Sequence, residues 1–183
     1  MSRPIANQRL FVAVYPPPDA ARSMRNALRK LTLPAHRETP MEQIHLTALF
    51  LGDTPAAEMD SVLESIERSV AGLKPFTLAP RRLIALPQQG PARLIACETD
   101  APPDLMEIHR RLAHRLARNV RDRDVERFLP HFTLCRFRSP SRLSDVGPGR
   151  AIEPFHVDQV RLMRSVLRPD GAEHVEVRTF PIG

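Results

Sequence analysis

Apolar residues along the chain follow two kinds of pattern. Short runs rich in Val, Leu, Ile and Phe predict strands, and longer stretches with apolar residues three or four positions apart predict amphipathic helices. The predicted strands cover residues 9–15, 44–51, 76–86, 92–98, 132–137, 155–167 and 174–180. The predicted helices cover residues 19–31, 55–71 and 103–118.

The second helix has the clearest pattern. Thr54 is a suitable N-cap, and Pro55 stands at a first-turn position that favours proline. Its apolar stripe consists of Met59, Val62, Leu63, Ile66 and Val70. The segments at 32–42 and 139–153 are predicted loops, 87–91 joins a long hairpin, and 169–171 is a predicted turn.

Helices and strands are mixed without a regular β-α-β alternation and without a Gly-rich phosphate loop. This order favours an α+β fold with antiparallel pairing over a doubly wound parallel sheet. The length of 183 residues suits one compact domain, or two small lobes that share one core. The 19 prolines separate the patterned segments rather than forming a repeat, which excludes a fibrous chain.

The chain is basic, and its basic residues are almost all arginine. It has 27 Lys plus Arg against 21 Asp plus Glu, a formal charge of +6, and only Lys30 and Lys74 are lysines. The planar arginine fork suits phosphate, so the charge is compatible with a phosphate-bearing or nucleic-acid partner. A solvated basic surface explains the same composition, so charge alone does not identify a partner.

No segment resembles a membrane span or a secretory signal. The apolar run at 10–15 is far shorter than the ~20 residues that cross a bilayer, and a proline triplet ends it. Cys97 and Cys135 lie in strand-like runs without ligand spacing, so we expect two buried free thiols. These features predict a cytoplasmic protein.

One motif occurs twice. His45-Leu46-Thr47-Ala48 and His131-Phe132-Thr133-Leu134 both have the pattern His-apolar-Thr-apolar, and both lie in predicted strands. Residues i and i+2 of a strand point to the same face. Each histidine therefore projects beside its threonine, while the apolar neighbours point into the core.

Two such strands side by side would bring together two imidazoles and two hydroxyls. One imidazole can activate water while the other protonates a leaving alkoxide, and hydroxyls can donate to phosphate oxygens. This set suits cleavage of a phosphodiester. A metal site is the competing interpretation, but two histidines without a nearby Asp, Glu or Cys partner are too few. We therefore expect neither a metal nor a cofactor.

The paired motifs resemble those of the two-histidine (2H) phosphoesterases, specifically the bacterial RNA 2′,3′-cyclic phosphodiesterases, also called 2′-5′ RNA ligases. The resemblance runs almost from end to end. It includes the residues at 9–13, 45–52, 130–136 and 160–167, followed by the turn at Gly171.

The resemblance implies a bilobal α+β fold within a single domain, residues 1–183. Two antiparallel sheets with flanking helices would surround a central groove, one motif from each lobe, related by a pseudo-twofold axis. The implied reaction is metal-independent hydrolysis of an RNA terminal 2′,3′-cyclic phosphate to a 2′-phosphomonoester. Weak reverse 2′-5′ ligation, as of tRNA halves, stays open.

The resemblance also implies residue roles. His45 would be the proton donor to the leaving 3′ oxygen and His131 the proton acceptor that activates water. Thr47 and Thr133 would hold phosphate oxygens, and Arg136 matches a phosphate-contacting arginine. Strict alternation points Arg136 away from His131, so it reaches the phosphate only where the strand bulges or ends nearby.

Other candidates carry less weight. The remaining histidines are interpreted as solvated or structural, namely His36, His109, His114, His156 and His174. Phe11, Tyr15 and Phe50 are interpreted as core or edge aromatics rather than base-stacking platforms.

We expect a monomer that acts on RNA ends. The alternatives are a 2H phosphodiesterase for a small cyclic nucleotide or a 2′-5′ oligonucleotide, and a non-catalytic RNA-binding module.

Overall fold

The computed structural model describes residues 7–116, 128–143, 146, 152–168 and 171–183. Within them, the helices are α1 (Pro18–Leu28), α2 (Met59–Val70) and α3 (Pro103–Leu116). The strands are β1 (Gln8–Val14), β2 (His36–Glu38), β3 (Leu46–Thr54), β4 (Phe76–Leu78), β5 (Pro80–Leu86), β6 (Ala92–Thr99), β7 (His131–Ser141), β8 (Phe155–Val157), β9 (Gln159–Arg168) and β10 (Gly171–Pro181).

The described strands form two sheets. The larger has the order β10-β9-β1-β3-β7-β6-β5, with β2 also paired to β7, and the smaller is β4-β8. Every described pairing is antiparallel. This confirms the α+β fold class with two antiparallel sheets and flanking helices. The division of the single domain into two lobes stays a prediction.

The two motif-bearing strands are neighbours in the large sheet. β3 and β7 pair at Leu46 and Phe132, the residues that directly follow the two motif histidines. Because the strands are antiparallel and both begin near this pair, they run away from each other in opposite directions. The pair therefore places the two His-x-Thr motifs next to each other.

The two faces of the large sheet have different surroundings. Alternate residues of β1 point to opposite sides: Leu10, Val12 and Val14 join the main core, whereas Phe11 and Ala13 form a small cluster with Met163. The main core also contains buried apolar side chains of all three described helices. The helices therefore cover one face and leave the other free for a groove.

Several element boundaries differ from the sequence predictions. The strand predicted at 76–86 is two strands in different sheets, because Ala79 leaves the ladder and its amide binds the Asp100 carboxylate at 2.8 Å. The strand predicted at 155–167 also divides, around Asp158. The predicted loop at 32–42 contains β2, and β7 continues to Ser141.

The predicted helix at 55–71 is α-helical from Met59, after a 3₁₀ turn at Ala56–Glu58. The helix predicted at 19–31 ends at Leu28. The end of the helix predicted at 103–118, residues 144–145 and 147–151 of the loop predicted at 139–153, and residues 169–170 of the predicted turn lie outside the described residues.

Both cysteines are buried and free. Burial raises the pKa of Cys97 to about 12, so its thiol stays protonated at neutral pH. The expectation of two buried free thiols is confirmed.

In the described part of the chain, no helix combines the length and the apolar character needed to cross a bilayer.

The contact between the motif strands should carry much of the stability. We expect Leu46→Ala to lower the free energy of unfolding by about 2–5 kcal/mol, because Leu46 is fully buried and its truncation leaves a cavity. Leu167→Ala is the matched control, since Leu167 is 70% exposed, and should change stability by less than about 0.5 kcal/mol. Equal urea midpoints for the two variants would contradict the central place of this contact.

Candidate active site

The five predicted site residues line one groove in the structure. The groove has a volume of about 410 Å³, and its wall includes His45, Thr47, His131, Thr133 and Arg136. The threonines are partly buried, whereas the apolar residues between each histidine and its threonine, Leu46 and Phe132, are buried in the main core. The alternation of side chains along each strand thus places the histidine and threonine of each motif on the groove side, as the sequence predicts.

Arg136 reaches the groove through an irregularity in β7. Cys135 pairs with Ile95 and Thr133 pairs with Ala96, so Leu134 has no partner of its own on β6. Leu134 and Cys135 are consecutive buried residues, which strict alternation would not allow. This extra residue returns Arg136 to the side of the motif histidine.

The two histidines are anchored in the same way. Nδ1 of His45 donates to the carbonyl oxygen of Gln43 at 2.7 Å, and Nδ1 of His131 donates to that of Leu129 at 2.8 Å. A carbonyl oxygen can only accept, so Nδ1 carries a hydrogen in both rings. Nε2 is therefore the nitrogen that each histidine can offer to a ligand in the groove.

His45 has a strongly altered acidity. Burial is the largest cause that lowers its pKa to about 4; the hydrogen bond to Gln43 acts in the opposite direction, and the positive charges of His174, Arg136 and His131 lower the pKa further. In the free protein at neutral pH, the His45 imidazole is therefore neutral. An anion bound beside it would raise the pKa again, because it stabilises the charged form.

Aromatic rings surround the His45 imidazole. Its ring centroid lies 4.9 Å from that of Phe11, 5.5 Å from that of Tyr15 and 5.0 Å from that of His174. His174, which the sequence interpretation set aside as solvated or structural, also lines the groove. Nothing in its local sequence indicates this, because its position depends on the pairing of β10 with β9, where it faces Ser165.

An exposed aromatic residue and further arginines also line the groove. Phe50 is 51% exposed, and the Arg9 guanidinium carbon lies 5.0 Å from its ring centroid. Phe50 is therefore not a core aromatic, and its ring is available in the groove. With Arg37 and Arg136, the groove has three arginine side chains in its wall.

Other described histidines lie outside this groove. Nδ1 of His109 donates to the Ala48 carbonyl at 2.7 Å, and the buried His109 ring stacks on Phe128 with centroids 4.0 Å apart. His109 thus connects α3 to the first motif strand from the core side. His114 and His156 are exposed. Among the described residues, no three His, Cys, Asp or Glu side chains are grouped to hold a metal ion.

Comparison with known proteins agrees with this fold. The model of the 2′-5′ RNA ligase superfamily matches residues 10–167. The chain therefore belongs to the 2′-5′ RNA ligase superfamily, a group of two-histidine phosphoesterases, and the predicted family is confirmed. Membership of this group makes the protein a phosphodiesterase by class.

Individual relatives extend over nearly the whole chain. An RNA 2′,3′-cyclic phosphodiesterase of Thermus thermophilus is 28% identical over 185 aligned positions, covering 95% of this chain and 90% of the relative. A crystal structure of a Thermus thermophilus protein is 26% identical, with a TM-score of 0.79 and coverage of 95% and 97%. E. coli LigT complexed with 3′-AMP shares the fold, with a TM-score of 0.81, 22% identity and coverage of 96% and 98%.

The acidity of His45 can be measured directly. We expect its imidazole to be neutral at pH 6 and to gain a proton near pH 4, because burial and nearby cations oppose the charge. The stability linked to His45 is then fully present above the unfolded-state pKa of about 6.5 and is lost as the pH falls toward 4. An NMR titration, with the resonance assigned through His45→Asn, should show this; a midpoint at or above 6.5 would contradict it.

Proposed function

We propose that the protein hydrolyses RNA terminal 2′,3′-cyclic phosphates to 2′-phosphomonoesters without a metal ion. The observation that carries the proposal is the pair of histidines in one groove, each anchored at Nδ1 by the carbonyl two residues earlier. Two imidazoles that both offer Nε2 are the groups that acid–base cleavage of a phosphodiester requires.

In the proposed reaction, Nε2 of His131 accepts a proton from the attacking water. The water oxygen forms a bond to phosphorus, and the bond from phosphorus to the 3′ oxygen breaks. Nε2 of His45 donates its proton to that oxygen, which becomes the 3′ hydroxyl, and the phosphate stays on the 2′ oxygen. Water is thereby consumed in a balanced step, and His131 returns its proton to solvent as His45 takes one up.

The remaining groove side chains suit the charge of the phosphate. The hydroxyls of Thr47 and Thr133 donate to the non-bridging oxygens, and Arg136 offsets their negative charge. The low pKa of His45 has a use in this setting. Substrate binding brings an anion to the neutral imidazole of His45 and favours its protonation. Because burial makes the protonated imidazole a stronger acid, it readily transfers that proton to the leaving oxygen.

The groove also suits a nucleotide at an RNA end. The exposed ring of Phe50, with the Arg9 guanidinium beside it, provides a flat face on which a nucleobase can stack without sequence preference. The formal charge of +6 favours a polyanion over a neutral ligand.

Weak 2′-5′ ligation would use the same proton transfers. A hydroxyl of a second RNA, as in tRNA halves, would attack phosphorus in place of water.

The decisive assay uses an oligoribonucleotide with a terminal 2′,3′-cyclic phosphate in the presence of EDTA. We expect conversion to the 2′-phosphate, identified by its resistance to a 3′-specific phosphatase or by NMR of the product, at a rate that EDTA leaves unchanged. Loss of turnover in EDTA, or formation of the 3′-phosphate, would contradict the proposed reaction.

The same assay separates the alternatives. Faster turnover of a cyclic mononucleotide or a 2′-5′ oligonucleotide than of the RNA end would assign the groove to a small substrate. Salt-sensitive binding of RNA without turnover of any of these would indicate a binding module.

The two histidines should have separable roles. We expect His45→Ala and His131→Ala each to lower kcat by about 10²–10⁴-fold, because each removes one proton-transfer group. His114→Ala is the matched control, since His114 is exposed on α3, and should keep full turnover. A substrate with a better leaving group than the 3′ oxygen should restore much of the rate to His45→Ala and little to His131→Ala; equal recovery in both would contradict the assignment.

A further inference from the structure

His174 is a third histidine in the groove. It lies on β10, opposite Ser165 of β9, and its ring packs against two others. The ring centroids of His174 and His45 are 5.0 Å apart with planes at 82°, and those of His174 and Phe11 are 4.9 Å apart at 69°. Both contacts have the edge-to-face geometry that aromatic pairs favour.

The nitrogen chemistry of His174 differs from that of the motif histidines. Nδ1 of His45 and of His131 is bound to a carbonyl oxygen, whereas Nδ1 of His174 is buried without a hydrogen-bond partner among the described residues. A buried polar atom without a partner costs free energy, and a phenyl ring would fill the space without that cost. The imidazole at this position therefore calls for a functional explanation.

Positive charge dominates the surroundings of the two rings. His45 faces His131 and Arg136 from β7, the Tyr15 phenol from the end of β1, and His174 from β10. The cations near His174 and along the same groove are Arg9 of β1 and Arg37 of β2, and Arg37 lies against Gly171. The acidic groups there are Glu38 and Glu176. Both are already paired with arginines, Glu38 with Arg29 and Glu176 with Arg161. Two protonated imidazoles in contact are unfavourable in such surroundings.

We propose that His174 is a positioning residue for His45: its ring holds the His45 imidazole edge to face, and the two rings together carry at most one positive charge. When the pair is protonated in the free protein, the charge resides on His174, because His45 is the more buried ring and is the one that faces Arg136. A phosphate between His45 and His131 then draws the proton to His45. Only this last consequence depends on the proposed function.

The shared charge can be tested without a substrate. Burial lowers the pKa of His174, and its charge adds to the lowering of the pKa of His45. In His174→Phe the ring contact is kept and the charge is lost, so the NMR midpoint of His45 should rise by about 0.5 pH units. His114→Phe, at an exposed histidine of α3, is the matched control and should leave the midpoint in place. An unchanged His45 midpoint in His174→Phe would overturn the shared charge.

The positioning role is tested by comparing two variants on the cyclic-phosphate RNA. His174→Ala removes the ring wall and should lower kcat by about tenfold with KM changed less than about twofold, because His45 loses its orientation. His174→Phe restores the wall and should recover kcat to within about threefold of wild type at its own pH optimum. Full kcat in His174→Ala would overturn the positioning role. If wild-type protein does not hydrolyse this RNA, the proposed function fails while the titration still decides the shared charge.

Discussion

The whole site depends on one contact between two strands. Leu46 and Phe132 pair where β3 and β7 both begin, and both side chains are fully buried. Each is flanked by a motif histidine on one side and a motif threonine on the other, so the packing that buries these two apolar residues also turns the four polar ones into the groove. The arrangement of these polar side chains in the groove thus follows from the packing of the core on the other face of the sheet.

A backbone hydrogen bond also fixes the orientation of each motif histidine. In both motifs the residue two positions before the histidine supplies a carbonyl oxygen, and that oxygen fixes the tautomer as well as the ring direction. For His45 the carbonyl belongs to the 3₁₀ turn at Met41–Gln43, which lies outside the sheet. The two imidazoles therefore have matching hydrogen bonds. Burial and the cationic neighbours of His45 lower the pKa of this imidazole.

Some of this arrangement could be predicted from the sequence and some could not. The facing of His45 with Thr47, and of His131 with Thr133, follows from the period of a strand, which is local. The side on which Arg136 lies depends on the register between β6 and β7, which is set by tertiary pairing. The strand β2 has the sequence His-Arg-Glu and no apolar pattern, since it is held by backbone pairing to β7. The groove position of His174 likewise requires knowledge of its partner on β9.

Leu134 is the residue of β7 without a partner on β6, so the chain between Thr133 and Arg136 departs from a regular ladder. Packing of the core is compatible with this irregular register and not with a regular one. A perfectly regular ladder of the same length would turn the Cys135 thiol into the groove and the Arg136 guanidinium into the apolar core, where it would have no partner. The cost of burying that charge therefore keeps the irregularity in place. A deletion of one residue between the threonine and the arginine would remove the irregularity and leave both side chains on the groove side, because their partners on β6, Ala96 and Leu94, are only two ladder positions apart. The irregularity thus determines which side of the sheet the guanidinium occupies, and it does so without adding a ladder position between Arg136 and Thr133.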